Sequence, residues 1–129
     1  MRQSILLIED NEQNRYLLTF LLERSGYDVL AAVDGVSGIA AARSMAPALI
    51  LLDIQLPTMD GYAVARVLRG IDGLANTPII AVTSYAMPGD REKALDAGCT
   101  GYIEKPIDPS TFVAQIELAL SAVNESGVA

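Results

Sequence analysis

The chain has 129 residues, 51% hydrophobic and 19% charged, with a formal net charge of −7, one cysteine and no histidine. That balance suits one globular domain and excludes a disordered chain, while the missing histidines and lone cysteine exclude disulfide frameworks and histidine catalysis and disfavour zinc. Nine scattered Lys and Arg make no nucleic-acid surface. No apolar run reaches the roughly 20 residues of a membrane span, and the opening MRQSILLIEDN has no small-residue cleavage site, so a cytoplasmic protein with no membrane contact is expected.

Along the chain, Ser4–Ile8 predicts a first strand, and Leu17, Leu18, Leu21 and Leu22 form the apolar stripe of a first helix closed by Gly26. Asp28–Val33 predicts the second strand, and DGVSGIAAARSMAP a small-residue helix from near Gly35 to before Pro47. Leu49–Leu52 is the third strand, and Tyr62, Val64, Ala65, Val67 and Leu68 mark a third helix stopping around Gly70. Pro78–Thr83 follows as the fourth strand, and PGDREKALDAG as a short polar helix after Pro88, closed by Gly98. Gly101–Ile103 is the shortest strand; Asp108 as N-cap and Pro109 at the first helical position then open a helix through Phe112, Ile116, Leu118 and Leu120.

Most of these apolar runs are continuous rather than alternating, as in parallel strands covered on both faces. Five βα repeats imply an α/β three-layer sandwich around a parallel sheet. With no linker or low-complexity stretch, residues 1–129 are expected to form one domain with nothing left for a second.

In such a sheet the C-terminal strand ends share one edge, where ligands bind. Glu9 and Asp10 follow the first strand, Asp53 ends the third, Thr83 and Ser84 end the fourth, and Lys105-Pro106 follows the fifth. Each has a plainer reading alone: Asp10 and Asn11 can cap a helix, Asp53 can start an Asx-type turn ahead of Pro57, and Thr83 and Lys105 are ordinary strand and surface residues. Together they are harder to dismiss, because carboxylates about 4 Å apart repel by roughly 4 kcal/mol per pair at an effective dielectric near 20. The cluster calls for a cation, and an all-oxygen set favours a hard one. Mg²⁺ fits best, Mn²⁺ can replace it and Ca²⁺ stays open. An Asp beside a divalent ion suits nucleophilic attack on phosphorus, with the Lys105 ammonium and the Thr83 hydroxyl serving the transferring group.

The stretches LLIEDN, LILLDIQLPTMDG, IIAVTSYA and GYIEKPID, in this order and over essentially the whole chain, resemble the receiver domain of two-component response regulators, most of all single-domain regulators of the cell-division type. The resemblance implies a flavodoxin-like (βα)5 fold with strand order 2-1-3-4-5 and no output domain. It implies Asp53 as phosphoacceptor, and Mg²⁺ held by Glu9, Asp10, Asp53 and the backbone carbonyl of Gln55. Thr83 and Lys105 are then the residues that meet the phosphoryl group, and Thr83 and Tyr102 the switch pair. Gln55 and Tyr85 occupy positions that tune dephosphorylation, and Lys105-Pro106 is expected to be a cis peptide.

The expected partners are a sensor histidine kinase or histidine phosphotransfer protein and a downstream protein target. The chain is expected to be a monomer or a phosphorylation-dependent dimer, and an enzyme only toward its own phosphorylation and dephosphorylation. Two alternatives stay open: a Mg²⁺-dependent phosphohydrolase with an Asp nucleophile, and a receiver that signals without phosphorylation. Gln55 argues against the first, because such hydrolases carry a second Asp two positions after the nucleophile. A flavin or nucleotide binder would need a Ser/Thr/Gly phosphate loop where this chain has EDNEQN.

Overall fold

The computed structural model describes residues 2–84 and 87–128, with side chains up to residue 122. Strands and helices alternate as β1 (Ser4–Ile8), α1 (Glu12–Arg24), β2 (Asp28–Ala32), α2 (Gly35–Met45), β3 (Leu49–Asp53), α3 (Gly61–Arg69), β4 (Ile79–Thr83), α4 (Asp90–Asp96), β5 (Gly101–Glu104) and α5 (Pro109–Val128). The sheet is parallel throughout, in the order β2-β1-β3-β4-β5, the flavodoxin-like arrangement expected.

Side chains alternate across the sheet and build one core on each face. Leu6, Ile8, Ile50, Leu52, Ile79 and Ala81 face α2, α3 and α4 through Ala42, Val64, Leu68 and Ala94. Ile5, Leu7, Leu49, Leu51, Ile80 and Val82 face α1 and α5 through Leu18, Leu22, Phe112 and Ile116. Every residue of β3 and β4 is buried, which explains why those runs read as continuously apolar.

The second strand departs from that expectation. It lies at the edge of the sheet, and Asp28, Leu30 and Ala31 are exposed. Its apolar letters make a strand that pairs on one side only, since an edge position removes half of the cover.

Helix ends follow local chemistry. Asn11 caps α1 by accepting from the Asn14 N–H, Asp34 caps α2 through Ser37, Asp60 caps α3 through Tyr62, and Asp108 accepts from Ser110 at the start of α5. Gly26, one residue past the α1 cap Ser25, takes φ +99°, and Gly98 after α4 takes φ +106°. The α4 start is different: Gly89 occupies the cap position with no side-chain hydrogen bond, and only Ala94 of that helix is buried.

The loop from β3 into α3 is closed by the Gly61 N–H on the Ile54 carbonyl, 3.1 Å. A Cβ at Gly61 would collide with the Ile54 Cα and stand 2.8 Å from the Asp53 carbonyl oxygen. Those are backbone atoms at the end of a buried strand and cannot yield. Gly61→Ala is therefore expected to destabilise the protein by on the order of 2–4 kcal/mol. Gly70→Ala, at φ −83° and with the Val67 carbonyl oxygen 3.6 Å from where its Cβ would stand, should stay within about 0.5 kcal/mol of wild type. Paired urea denaturation curves check both.

Candidate functional site

The parallel register sets the end of β3 beside the end of β4, Asp53 opposite Val82, and the end of β4 beside the end of β5, Thr83 opposite Glu104. Glu9 continues β1, its N–H donating to the Ala32 carbonyl at 3.0 Å, and Lys105 continues β5, its N–H donating to the Thr83 carbonyl at 2.7 Å. The residues predicted from strand ends thus meet at one edge because backbone pairing puts them there.

Carboxylate oxygens of Glu9, Asp10 and Asp53 all lie within 4.8 Å of one another. The Lys105 ammonium donates to Glu9 Oε1 at 2.9 Å and to Asp53 Oδ2 at 3.4 Å. Glu9 Oε2 accepts from the Asn11 N–H, and Asp53 Oδ1 from the Gln55 N–H at 2.9 Å. That last bond is the Asx-type turn weighed from the sequence, so Asp53 both shapes the loop and belongs to the cluster. The Lys105-Pro106 peptide is cis.

Burial is deeper than a solvent-facing rim implies. Glu9 is 1% exposed, Asp53 3% and Thr83 2%, while Asp10 is exposed. The strand that carries Asp53 is packed on both faces, so its last residue inherits that cover. Burial first, then the neighbouring Glu9, push the Asp53 carboxyl up to about 7; the Gln55 N–H and the Lys105 charge pull the other way and do not prevail. Three carboxylates against one ammonium leave an excess of negative charge where water is scarce. An oxygen-only donor set with that excess fits a hard divalent cation.

Three features were not read from the sequence. The Gln55 carboxamide reaches across to β4, donating to the Thr83 hydroxyl oxygen at 2.7 Å and accepting from the Ser84 hydroxyl at 2.9 Å. Arg15 on α1 donates to the Glu9 and Asp10 carbonyls at 3.1 and 3.2 Å and pins the turn that carries the acidic pair. Arg69 donates to the carbonyls of Leu74, Ala75, Thr77 and Gly98, joining the loop before β4 to the loop before β5. The first had a signal, since adjacent strand ends carry a carboxamide facing two hydroxyls. Arginine contacts with carbonyls carry none. Tyr102 is half-buried against the α2–α3–α4 side of the core, Cys99 is buried, and Tyr85 lies outside the described residues. Among the described residues no helix is long and apolar enough to cross a membrane.

A family model of the response regulator receiver domain matches residues 5–117. The polar-differentiation response regulator DivK of Brucella anthropi is 42% identical over 117 residues, 91% of this chain and 95% of DivK; DivK of Brucella ovis is 41% identical over the same shares. The receiver domain of a Pseudomonas aeruginosa sensor histidine kinase, described with a magnesium ion coordinated in its active site cleft, superposes with a TM-score of 0.86 at 34% identity, covering 94% of this chain and 99% of its own. A CheY-like receiver domain protein from Methanospirillum hungatei gives a TM-score of 0.91 at 27% identity, covering 98% and 99%.

The Asp53 environment has a measurable consequence. The folded protein keeps a proton up to about pH 7 that the unfolded chain gives up near pH 4. Stability from this residue is present below pH ~4 and is lost as pH rises through about 7. Asp53→Asn abolishes that loss. In metal-free buffer above pH 7 the variant is expected to be more stable than wild type by on the order of 1–3 kcal/mol, the gain shrinking toward pH 4. Thermal melts of both proteins from pH 4 to 8 decide it, and a gain that grows as pH falls contradicts the assignment.

Proposed function

This chain belongs to the response regulator receiver family, and we propose that it is a phosphorylation-dependent switch with Asp53 as its phosphoacceptor. The observation that carries the reading is the cluster of Glu9, Asp10 and Asp53 oxygens beside the Lys105 ammonium. A phosphohistidine on a sensor histidine kinase or histidine phosphotransfer protein is the donor. Its P–N bond breaks as an Asp53 carboxylate oxygen bonds to phosphorus, and the imidazole leaves with the electron pair.

Glu9, Asp10, Asp53 and the backbone carbonyl of Gln55 would hold Mg²⁺, which would supply positive charge to the transferring group. The magnesium ion in the Pseudomonas receiver supports that choice, and Mn²⁺, equally suited to oxygen ligands, replaces it. Lys105, already between Glu9 and Asp53, pairs with a phosphoryl oxygen. Thr83 donates its hydroxyl to another, and Tyr102 turns into the space that Thr83 leaves. The surface of α4, β5 and α5 then presents a new face to a downstream protein target; the sparse anchoring of α4 supports this.

We read residues 1–129 as one receiver domain that acts through its own surface, as a cytoplasmic monomer or phosphorylation-dependent dimer, and that catalyses only its own phosphorylation and dephosphorylation. The match over 95% of the length of DivK supports the receiver-domain part of that reading.

Incubation with acetyl phosphate and Mg²⁺ is expected to add one phosphoryl group by intact mass. Asp53→Asn should gain none, chelation should abolish the gain, and Mn²⁺ should restore it. An equal gain in Asp53→Asn removes Asp53 from the role. A second measurement isolates the cation: Mg²⁺ is expected to raise the melting temperature by mass action. Asp10→Asn, an exposed change, should leave the metal-free melting temperature within the effect of an ordinary surface substitution. It should also weaken the Mg²⁺ response by roughly tenfold in concentration.

A further inference from the structure

Gln55 stands two residues beyond Asp53 and is bonded at both ends of its residue. Its backbone N–H donates to Asp53 Oδ1 at 2.9 Å. Its carboxamide Nε2 donates to Thr83 Oγ1 at 2.7 Å, while Oε1 accepts from the Ser84 hydroxyl at 2.9 Å and from the Ser84 N–H at 3.3 Å. The orientation of that amide is fixed by chemistry. A backbone N–H can only donate, so the group facing Ser84 must be the oxygen, and the nitrogen is left for Thr83. Among the described residues this carboxamide is the side-chain link between the β3–α3 loop and the end of β4.

We propose that Gln55 is a positioning residue that latches Thr83 in the resting form and sets how readily its hydroxyl is released toward a phosphoryl group on Asp53. The proposal rests on the phosphoacceptor reading above. Thr83 is buried, so its hydroxyl cannot exchange one partner for another through bulk water. To approach an oxygen on Asp53 it must lengthen the 2.7 Å bond from Gln55, and Gln55 Nε2 must then find a new acceptor. The backbone bond to Asp53 ties the same residue to the acceptor carboxylate, so a group added there disturbs the latch from both sides. Ser84 holds the carboxamide oxygen and keeps the nitrogen aimed at Thr83.

The test uses beryllium trifluoride with Mg²⁺ as a phosphoryl mimic, titrated into wild type, Gln55→Met, Thr83→Val and the double variant. Methionine keeps the volume and removes both polar ends. Gln55→Met is expected to tighten binding by roughly three- to tenfold, the effect of removing one net hydrogen bond that the resting form alone makes. In the Thr83→Val background the same substitution should change affinity less than about twofold, which a general structural effect would not produce. Ser84→Ala should act in the same direction as Gln55→Met with a smaller effect. Unchanged or weaker binding by Gln55→Met, or an equal gain without the Thr83 hydroxyl, overturns the latch. The resting bond is also read without any mimic: the Gln55 side-chain amide protons should shift in NMR spectra of metal-free Thr83→Val, and no shift overturns the latch directly. Failure of wild type to bind the mimic at all refutes the phosphoacceptor reading instead, while the amide protons still report on the latch.

Discussion

Lys105 donates to Glu9 at 2.9 Å and to Asp53 at 3.4 Å, and one ammonium must serve two carboxylates that have almost no contact with water. Two buried acids cannot both be neutralised by one base, and the Asp53 carboxyl responds by holding its proton to about pH 7. The rest of the site follows from this imbalance. Either a proton stays or a cation enters, and Asp10, exposed on the open side of the pair, places a third carboxylate oxygen there, an arrangement that favours a cation. The same excess of negative charge makes the site poor at holding an anion by itself. Chemistry on phosphorus here therefore depends on positive charge brought to the edge of the sheet.

Such an arrangement lowers stability and persists only where the surrounding fold over-determines it. Asp53 cannot retreat, because Leu49–Leu52 are fully buried on both faces and Gly61 packs against the backbone just beyond it. Glu9 cannot swing outward, because the Asn11 N–H and Lys105 hold its two oxygens while Arg15 fixes the carbonyls of the turn beneath. A rigid sheet thus keeps repelling groups together, and the free energy lost in the resting state becomes affinity for whatever neutralises them.

Much of this was legible in the order of residue types. The five apolar runs, the glycines after α1 and α4 and the aspartate at α5 marked the alternation of strands and helices, because each signal is local. Parallel pairing then carried Glu9, Asp10, Asp53, Thr83 and Lys105 to one edge without any need to know a side-chain conformation. What stayed hidden depends on three dimensions. β2 carries apolar letters like its neighbours, and although the implied strand order puts it at the sheet edge, the letters themselves do not show that Leu30 is exposed there. The burial of Asp53 could not be read from its position at a strand end, since depth depends on what the flanking loops cover. Arg69 reads as a surface cation on α3, but its guanidinium is spent on four backbone carbonyls, groups that no sequence pattern marks.

Gln55 shows why the polar details of a site escape sequence reasoning while its charges do not. Charges must be balanced somewhere, so their clustering is visible as a problem that demands a partner. A carboxamide is neutral and carries its own donor and acceptor, so it raises no such demand; the family resemblance marks the position of Gln55 but not the partners of its side chain. Its specificity comes entirely from geometry: one atom faces a hydroxyl that can accept, the other an N–H that can only donate. That matching couples the end of β3 to the end of β4 through bonds that each contribute little net free energy. Weak coupling suits a switch, since a link much stronger than the perturbation from one added phosphoryl group would hold the resting form regardless of Asp53.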